Sequence, residues 1–71
     1  MISVHIREED EFIKLGQALK KAGLAESGLD AKIAIQNGEV TVNGEVEYQR
    51  GKKLHGGEEV CFDGETIQIV R

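Results

Sequence analysis

Residues 27–44, SGLDAKIAIQNGEVTVNG, determine the fold of this chain because a helix start, a helix end and a hairpin turn follow one another within them. Ser27 and Asp30 form an S-x-x-D capping pattern, in which the serine side chain satisfies an amide of the first helical turn. Asn37-Gly38 ends the helix, since both residues tolerate the left-handed backbone conformation. The helix between these signals is predicted to bury one stripe, formed by Ala31, Ala34 and Ile35.

The side-chain period drops to two after this helix, as is typical of strands. Residues 40–42 alternate apolar and polar side chains, and Asn43-Gly44 is a type I′ hairpin signal that leads into a second strand at residues 46–48. Residues 49–57 are interpreted as a polar, basic loop. Two last strands are predicted on either side of a turn at residues 63–64, around residues 60–62 and 67–69.

A strand and a helix are predicted before this segment. Residues 2–6 alternate in the manner of a half-buried strand, and residues 12–22 show a helical period that Gly23 ends. The acidic run from Glu8 to Glu11 is interpreted as the start of that helix, where the helix dipole favours carboxylates. The predicted order is β-α-α-β-β-β-β, an α+β fold with two short helices packed on a small, mostly antiparallel sheet. Whether the first strand pairs with the last stays open.

The size of the chain suits one domain, and residues 1–71 are expected to form it, with little room for a deep active site. The single cysteine cannot form an internal disulfide, and no apolar run approaches the length of a membrane span. We therefore expect a cytoplasmic protein with no membrane partner.

Catalytic and metal-binding constellations are missing from the sequence. Cys61 lies in the middle of a predicted strand between two apolar residues, where a thiol is expected to be inert. His5, His55 and Cys61 come from separate elements and lack the spacing of zinc ligands. Neither an enzyme nor a cofactor is expected.

The net charge of −4 argues against a nucleic-acid ligand, but the charge distribution leaves room for one, although a set of charges on helices is more often a solvated face. The two ends are acidic, whereas residues 12–55 carry seven Lys or Arg residues and five Asp or Glu residues. Cations and amides at this spacing suit the phosphate and 2′-hydroxyl contacts of structured RNA, whereas the single exposed aromatic candidate, Tyr48, argues against a platform for single strands. The candidate contacts are Lys14, Gln17 and Lys21 on the first helix, Lys32 and Gln36 on the second, and Arg50, Lys52 and Lys53 after the hairpin.

Three motifs occur together in the chain: LGQALK at residues 15–20, SGLDAK at residues 27–32 and GEVTVNGE at residues 38–45. In combination with the basic segment EYQRGKKL at residues 47–54, they resemble the S4 RNA-binding domain, and within it the small standalone bacterial proteins of the YbcJ/YaaA type. The resemblance covers about residues 11–62. It implies an αL motif, in which two packed helices precede a hairpin and RNA lies across the helices and the adjacent loop.

The resemblance also implies RNA contacts from Gln17, Lys20, Lys32, Gln36, Asn43, Arg50, Lys52 and Lys53. Asn43 has an alternative role as a turn residue, because Asn-Gly supplies the positive φ angles of a type I′ turn. The chain departs from many S4 domains by lacking an arginine near the start of the first helix and after Ser27, which implies weaker and more salt-sensitive binding.

We therefore expect a monomeric RNA-binding protein that recognises structured RNA, either ribosomal RNA or tRNA, as an accessory factor of ribosome assembly or translation. Two alternatives stay open. A protein–protein interaction module could use Leu29 and Ile33, which share a side of the second helix with Lys32 and Gln36. A small enzyme would require a pocket of which the sequence gives no sign.

Overall fold

The chain forms seven strands and two helices in the computed structural model, which describes residues 1–71. In chain order these elements are β1 (Ile2–His5), β2 (Ile13–Lys14), α1 (Leu15–Lys21), α2 (Gly28–Gln36), β3 (Val40–Val42), β4 (Glu45–Val46), β5 (Lys53–Leu54), β6 (Glu59–Phe62) and β7 (Glu65–Val70).

Five of the strands form one sheet in the order β1-β7-β6-β3-β4. The first strand pairs with the last, parallel to it, with Ile2 opposite Ile67, and the other three pairings are antiparallel. The predicted α+β class and the mostly antiparallel sheet are confirmed. The parallel pairing, which the sequence left open, brings the two ends of the chain together.

The helix cap, the hairpin turn and the helix end that the sequence predicts are found at the expected residues. The Ser27 Oγ accepts a hydrogen bond from the backbone amide of Asp30 at 3.1 Å and caps α2. Asn43 has a φ of 52° and Gly44 a φ of 86°, as a type I′ turn requires. At the end of α2, Asn37 keeps a right-handed conformation and Gly38 alone takes the positive φ, 77°.

The core between the helices and the sheet is entirely aliphatic. Fifteen residues are buried, and none of them is polar or charged. Each helix supplies three of them: Leu15, Ala18 and Leu19 from α1, and Ala31, Ala34 and Ile35 from α2. Every polar side chain therefore lies at least partly in contact with solvent.

The acidic run does not start a helix, so this prediction was wrong. Residues 8 and 9 form a turn and residue 11 lies in a bend, and α1 begins at Leu15 instead of Phe12. The turn is held by two arginines: the Arg7 Nε lies 2.9 Å from Asp10 Oδ2, and the Arg71 guanidinium donates to the carbonyl oxygens of Asp10 and Glu11 at 2.7 and 2.9 Å. The conformation of this segment therefore depends on the Arg7–Asp10 ion pair and on Arg71, and not on a helix dipole.

The sequence indicated that the basic segment at residues 49–57 is a loop, but part of it is a strand. Lys53 and Leu54 form β5, which pairs antiparallel with β2 through Lys14 and Ile13. Leu54 is completely buried, which explains why this segment is fixed to the core. In addition, the strand expected at residues 46–48 is β4, which begins one residue earlier, at Glu45, and already ends at Val46.

Candidate nucleic-acid interface

Two backbone hydrogen bonds hold the basic segment against the start of α1. The amide of Leu15 donates to the carbonyl oxygen of Lys52 at 2.9 Å, and the amide of Gly16 donates to that of Arg50 at 3.0 Å. The first amides of a helix have no partner within the helix, so this segment satisfies two of them. Lysines and an arginine that are far from α1 in sequence are thereby placed beside it.

The contact creates a depression of about 340 Å³ between the starts of the two helices. We call it the basic depression, and its lining residues are Lys14, Gly16, Gln17, Lys20, Gly28, Arg50 and Gly51. Three are cations, one is an amide and three are glycines. No carboxylate and no apolar side chain is among them.

Several hydrogen-bond donors around the depression are free to bind an anion. Gln17 uses its Oε1 to accept the Lys14 amide at 3.2 Å, which leaves both hydrogens of its Nε2 available. Gly28 is the first residue of α2, and its amide has no partner within the helix. The positive end of the α2 dipole adds to the attraction for an anion.

The cations of this surface are unpaired although the chain is acidic. Arg7 is the only Lys or Arg whose side-chain nitrogen lies within 4.0 Å of a carboxylate oxygen. An exposed ion pair would contribute little to stability, so its absence costs little. It leaves the cations that line the depression free of any ion pair within the chain, so they are available to an anionic ligand.

Lys14 and Lys53 lie directly opposite each other on the β2–β5 pair. Like charges in opposite positions of neighbouring strands destabilise a sheet. Lys53 gains partial compensation because its Nζ lies 5.0 Å from the centre of the Phe12 ring, a cation–π distance. Lys14 has no such partner and faces the depression, where a phosphate would relieve the repulsion.

A second groove, of about 510 Å³, lies between the hairpin and β5. Asn43, Lys52 and Lys53 line it, and so do three glutamates, Glu45, Glu47 and Glu58. The Asn43 Oδ1 accepts the amide of Glu59 at 2.9 Å, and its backbone forms the turn, so it has a structural task in the hairpin. This mixed-charge hairpin groove attracts phosphate less than the basic depression does.

The other candidate residues lie outside both sites. Lys32 and Gln36 follow Gly28 at successive turns of α2, on the same side of the helix as that lining residue. Lys21 is different, because its Nζ donates to the carbonyl oxygen of His5 at 2.6 Å and lines a separate pocket with Arg7 and Asp10. The structure thus brings Lys14, Gln17, Lys20 and Arg50 together. Lys21 lies outside this group, in a pocket that shares only Gln17 with the basic depression.

Three glycines of the depression were not candidates in the sequence. They are Gly16, Gly28 and Gly51, which come from three separate segments, so no glycine-rich motif in the sequence indicates them. Their only signal in the sequence is that each lies within two residues of a candidate cation or amide, or of the Ser27 cap. Small residues there leave the backbone open to a ligand.

Groups that could support other chemistry are dispersed. Cys61 is half-buried, with its Sγ 3.7 Å from the Thr66 Oγ1. No three His, Cys, Asp or Glu residues are arranged to hold a metal ion. Neither of the two helices has the length and apolar composition needed to cross a membrane.

Comparisons with known proteins identify the family of this chain. Residues 4–70 match the family model described as the S4 domain. The chain is 43% identical over 58 residues to the "Putative RNA-binding protein YbcJ" of Escherichia coli (strain K12), covering 82% of this chain and 83% of that protein. It is also 43% identical over 63 residues to the "Probable ribosome maturation protein RlbA" of Bacillus subtilis (strain 168), covering 87% of this chain and 89% of that one.

The fold is likewise that of a solved relative. The solution structure of E. coli YbcJ, described as revealing an αL motif involved in RNA binding, superposes with a TM-score of 0.74 and 37% sequence identity. The match covers all of this chain and 89% of that one. The sequence match over nearly the whole chain and the shared fold lead to one conclusion: this chain belongs to the S4 domain family.

Proposed function

We propose that this protein binds structured RNA through the basic depression. The observation that carries the proposal is the composition of that lining, which gathers Lys14, Lys20 and Arg50 and contains no carboxylate in a chain of net charge −4. Such segregation of charge favours a polyanion, because the neutralisation of phosphates dominates nucleic-acid affinity.

Binding by itself is the proposed mechanism. The three cations neutralise phosphates, while the Gln17 Nε2 and the Gly28 amide donate hydrogen bonds to phosphate or sugar oxygens. The depression contains no His, Cys, Asp or Glu, so it offers no nucleophile–base pair for a reaction. These features support a non-enzymatic role for the protein.

Structured RNA is favoured over an extended single strand. The donors are fixed on helix ends and on a segment bound to α1, and they suit recognition of a defined phosphate geometry. The relatives carry names that refer to RNA binding and to ribosome maturation. We therefore infer that the target is ribosomal RNA or tRNA, and that the protein acts as a cytoplasmic accessory factor in ribosome assembly or translation, as a monomer.

The remaining candidate contacts extend this surface. Lys32 and Gln36 continue it along α2, Lys53 continues it on β5 opposite Lys14, and Lys52 directly precedes that strand. Asn43 contributes through the hairpin groove, where it lies beside the same two lysines.

A salt titration tests the proposal. Binding of the purified protein to ribosomal RNA and to tRNA is measured over a series of salt concentrations. The three cations of the depression alone predict a slope of about −2.7 for log affinity against log salt, at about −0.9 for each phosphate contact on a duplex, and contacts from Lys32, Lys52 and Lys53 make the slope steeper. Affinity that is independent of salt, or no binding at low salt, would contradict the proposal.

A protein partner is the second candidate function, and one observation favours it. Leu29 and Ile33 on α2 are 63% and 48% exposed, so two large apolar side chains face solvent one turn apart. Co-sedimentation with ribosomal subunits separates the two functions. Leu29→Ser combined with Ile33→Ser should leave RNA affinity intact and weaken association with the particle if a protein contact is used, whereas Lys32→Glu should weaken RNA binding.

A further inference from the structure

Tyr48 is an exposed aromatic residue whose ring packs against Gly38. It is 61% exposed, yet its Cε1 and hydroxyl oxygen lie 3.3 and 3.5 Å from the position that a Cβ would occupy at Gly38. Gly38 has a φ of +77°, which glycine adopts readily and other residues do not. The glycine that ends α2 therefore leaves the space in which one edge of the ring rests, while most of the residue faces solvent.

The backbone around Tyr48 is held on both sides although it belongs to no strand. Before it, the amide of Glu47 donates to the carbonyl oxygen of Val40 at 3.0 Å. After it, the amide of Gln49 donates to the Glu47 Oε2 at 3.1 Å, and the carbonyl of Arg50 is bound by Gly16. Because this backbone is held, only the two side-chain torsions of the tyrosine remain to be ordered when the ring binds a ligand, which costs little conformational entropy.

A strip of polar donors joins the basic depression to this ring. Gly28, which lines the depression, is followed at successive turns by Lys32 and Gln36 on the same side of α2. Gly38, which contacts Tyr48, comes two residues later. From Gly28 to Gln36 the helix rises about 12 Å, at 1.5 Å per residue, so the strip has the length of a few nucleotides.

The chemistry of the strip suits a nucleotide better than an apolar partner. Lysine binds phosphate, and the Gln36 amide can donate to and accept from the edge of a base. An aromatic ring stacks on any base, because every base has a π-face. One ring cannot hold a row of bases, but it can hold one.

We propose that Tyr48 stacks on a single unpaired base while the basic depression binds the phosphates of the adjoining stem. The ligand is then a stem flanked by a loop or bulge, not a continuous duplex. This inference rests on the proposed function, since it names the kind of RNA that the same surface takes.

Intrinsic fluorescence gives a direct readout, because Tyr48 is the only tyrosine and the chain has no tryptophan. The probes are an RNA hairpin with an adenosine loop and the same stem as a blunt duplex without a loop. Stacking predicts that the hairpin quenches the tyrosine emission and that the duplex, at equal fractional saturation, does not. Equal quenching by the two probes, or none, would overturn the inference.

Affinity variants provide the second readout. Tyr48→Ala should weaken hairpin binding about ten-fold and leave duplex binding unchanged, since one stacked base contributes about that much. Tyr48→Phe keeps the stacking surface and should bind as the wild type does. The salt slope should stay the same in both variants, because neither residue change removes a charge. Circular dichroism shows that each variant is folded.

The outcomes separate this inference from the proposed function. If Tyr48→Ala binds the hairpin as tightly as the wild type while Lys20→Gln weakens it, stacking is refuted and RNA binding stands. If Tyr48→Ala affects only the association with ribosomal particles and not with the free hairpin, the ring serves a protein contact and the inference is wrong. If neither RNA binds the wild type, both proposals fall.

Discussion

The amide of Gly16 donates a hydrogen bond to the carbonyl oxygen of Arg50, with 3.0 Å between the two atoms. This bond joins the first turn of α1 to a segment 34 positions further along the chain, and it places the arginine side chain at the rim of the basic depression. Because the interface is assembled across this contact, the space at position 16 should control both stability and RNA affinity.

A graded series at Gly16 tests that dependence. A Cβ there would lie 3.6 Å from the Arg50 Cβ and carbonyl oxygen and 3.9 Å from the Ala31 Cβ, which is ordinary contact. Gly16→Ala should therefore fit, increase the free energy of unfolding by about 0.5–1 kcal/mol and leave RNA affinity unchanged. Gly16→Leu should overfill the site, lower stability by about 1–3 kcal/mol and weaken binding by displacing Arg50. Urea unfolding and RNA titration measure the two effects, and a stable Gly16→Leu variant with full affinity would contradict the prediction.

Lys20 and Lys21 form a matched pair, because neighbouring residues on a helix point in directions about 100° apart. Lys20 lines the basic depression, whereas the Lys21 Nζ is bound to the carbonyl of His5. Lys20→Gln should weaken RNA binding and make the salt slope less negative by about 0.9. Lys21→Gln should keep the slope and instead lower the free energy of unfolding by about 0.5–1 kcal/mol, through the lost hydrogen bond. Equal effects of the two variants on RNA binding would show that the depression is not the site.

This pair also illustrates how far sequence analysis reaches. The order of the predicted elements, the Ser27 cap and the Asn43-Gly44 turn depend on residues a few positions apart, and all of them are confirmed. The position of Lys21 depends on a contact with His5, 16 residues away. From the helical period alone, Lys21 is simply another exposed cation.

The β2–β5 pair was missed for the same physical reason. Each strand has only two residues, too few for alternation to become visible, and the pairing joins Ile13 to Leu54 across most of the chain. Likewise, residues 8–11 have the composition of a helix start, but the guanidinium of Arg71 binds the carbonyl oxygens of Asp10 and Glu11 and holds a turn. The depression follows from these long-range contacts, so the sequence could name its cations but not their arrangement.

The loop after β5 should make stability depend on pH through Glu58. Partial burial raises the pKa of this carboxyl group, but hydrogen bonds from the backbone amides of His55 and Gly56, at 2.8 and 2.7 Å, outweigh it, and the pKa lies below its ordinary value of 4.5. A lowered folded-state pKa stabilises the protein above the pKa of the unfolded chain. The contribution is lost as the pH falls through the folded-state value, so the window lies below about pH 4.5.

Glu58→Gln, compared with the wild type by urea unfolding from pH 7 to the acid limit, tests this dependence. The variant should be less stable at pH 7, and the difference should shrink as the pH falls below 4.5. Glu59→Gln is the matched control, because the side chain of that exposed neighbour makes no hydrogen bond. A difference between Glu58→Gln and the wild type that stays constant with pH would mean that the carboxylate charge is not what the amides stabilise.

Lys14 opposite Lys53 predicts a conflict between stability and binding. The two lysines are register partners on β2 and β5, and no carboxylate oxygen lies within 4.0 Å of either side-chain nitrogen. Lys14→Glu should replace repulsion by attraction and raise the free energy of unfolding by about 0.2–1 kcal/mol. The same change places a negative charge in the basic depression, so RNA affinity at low salt should fall about ten-fold or more.

Lys14→Gln is the control, because it removes the repulsion without adding a negative charge. It should give a smaller gain in the free energy of unfolding and a smaller loss of RNA affinity. If Lys14→Glu is more stable and binds RNA unchanged, Lys14 contacts no phosphate. A gain in stability with a loss of affinity is the result expected if this lysine is present for binding and not for folding.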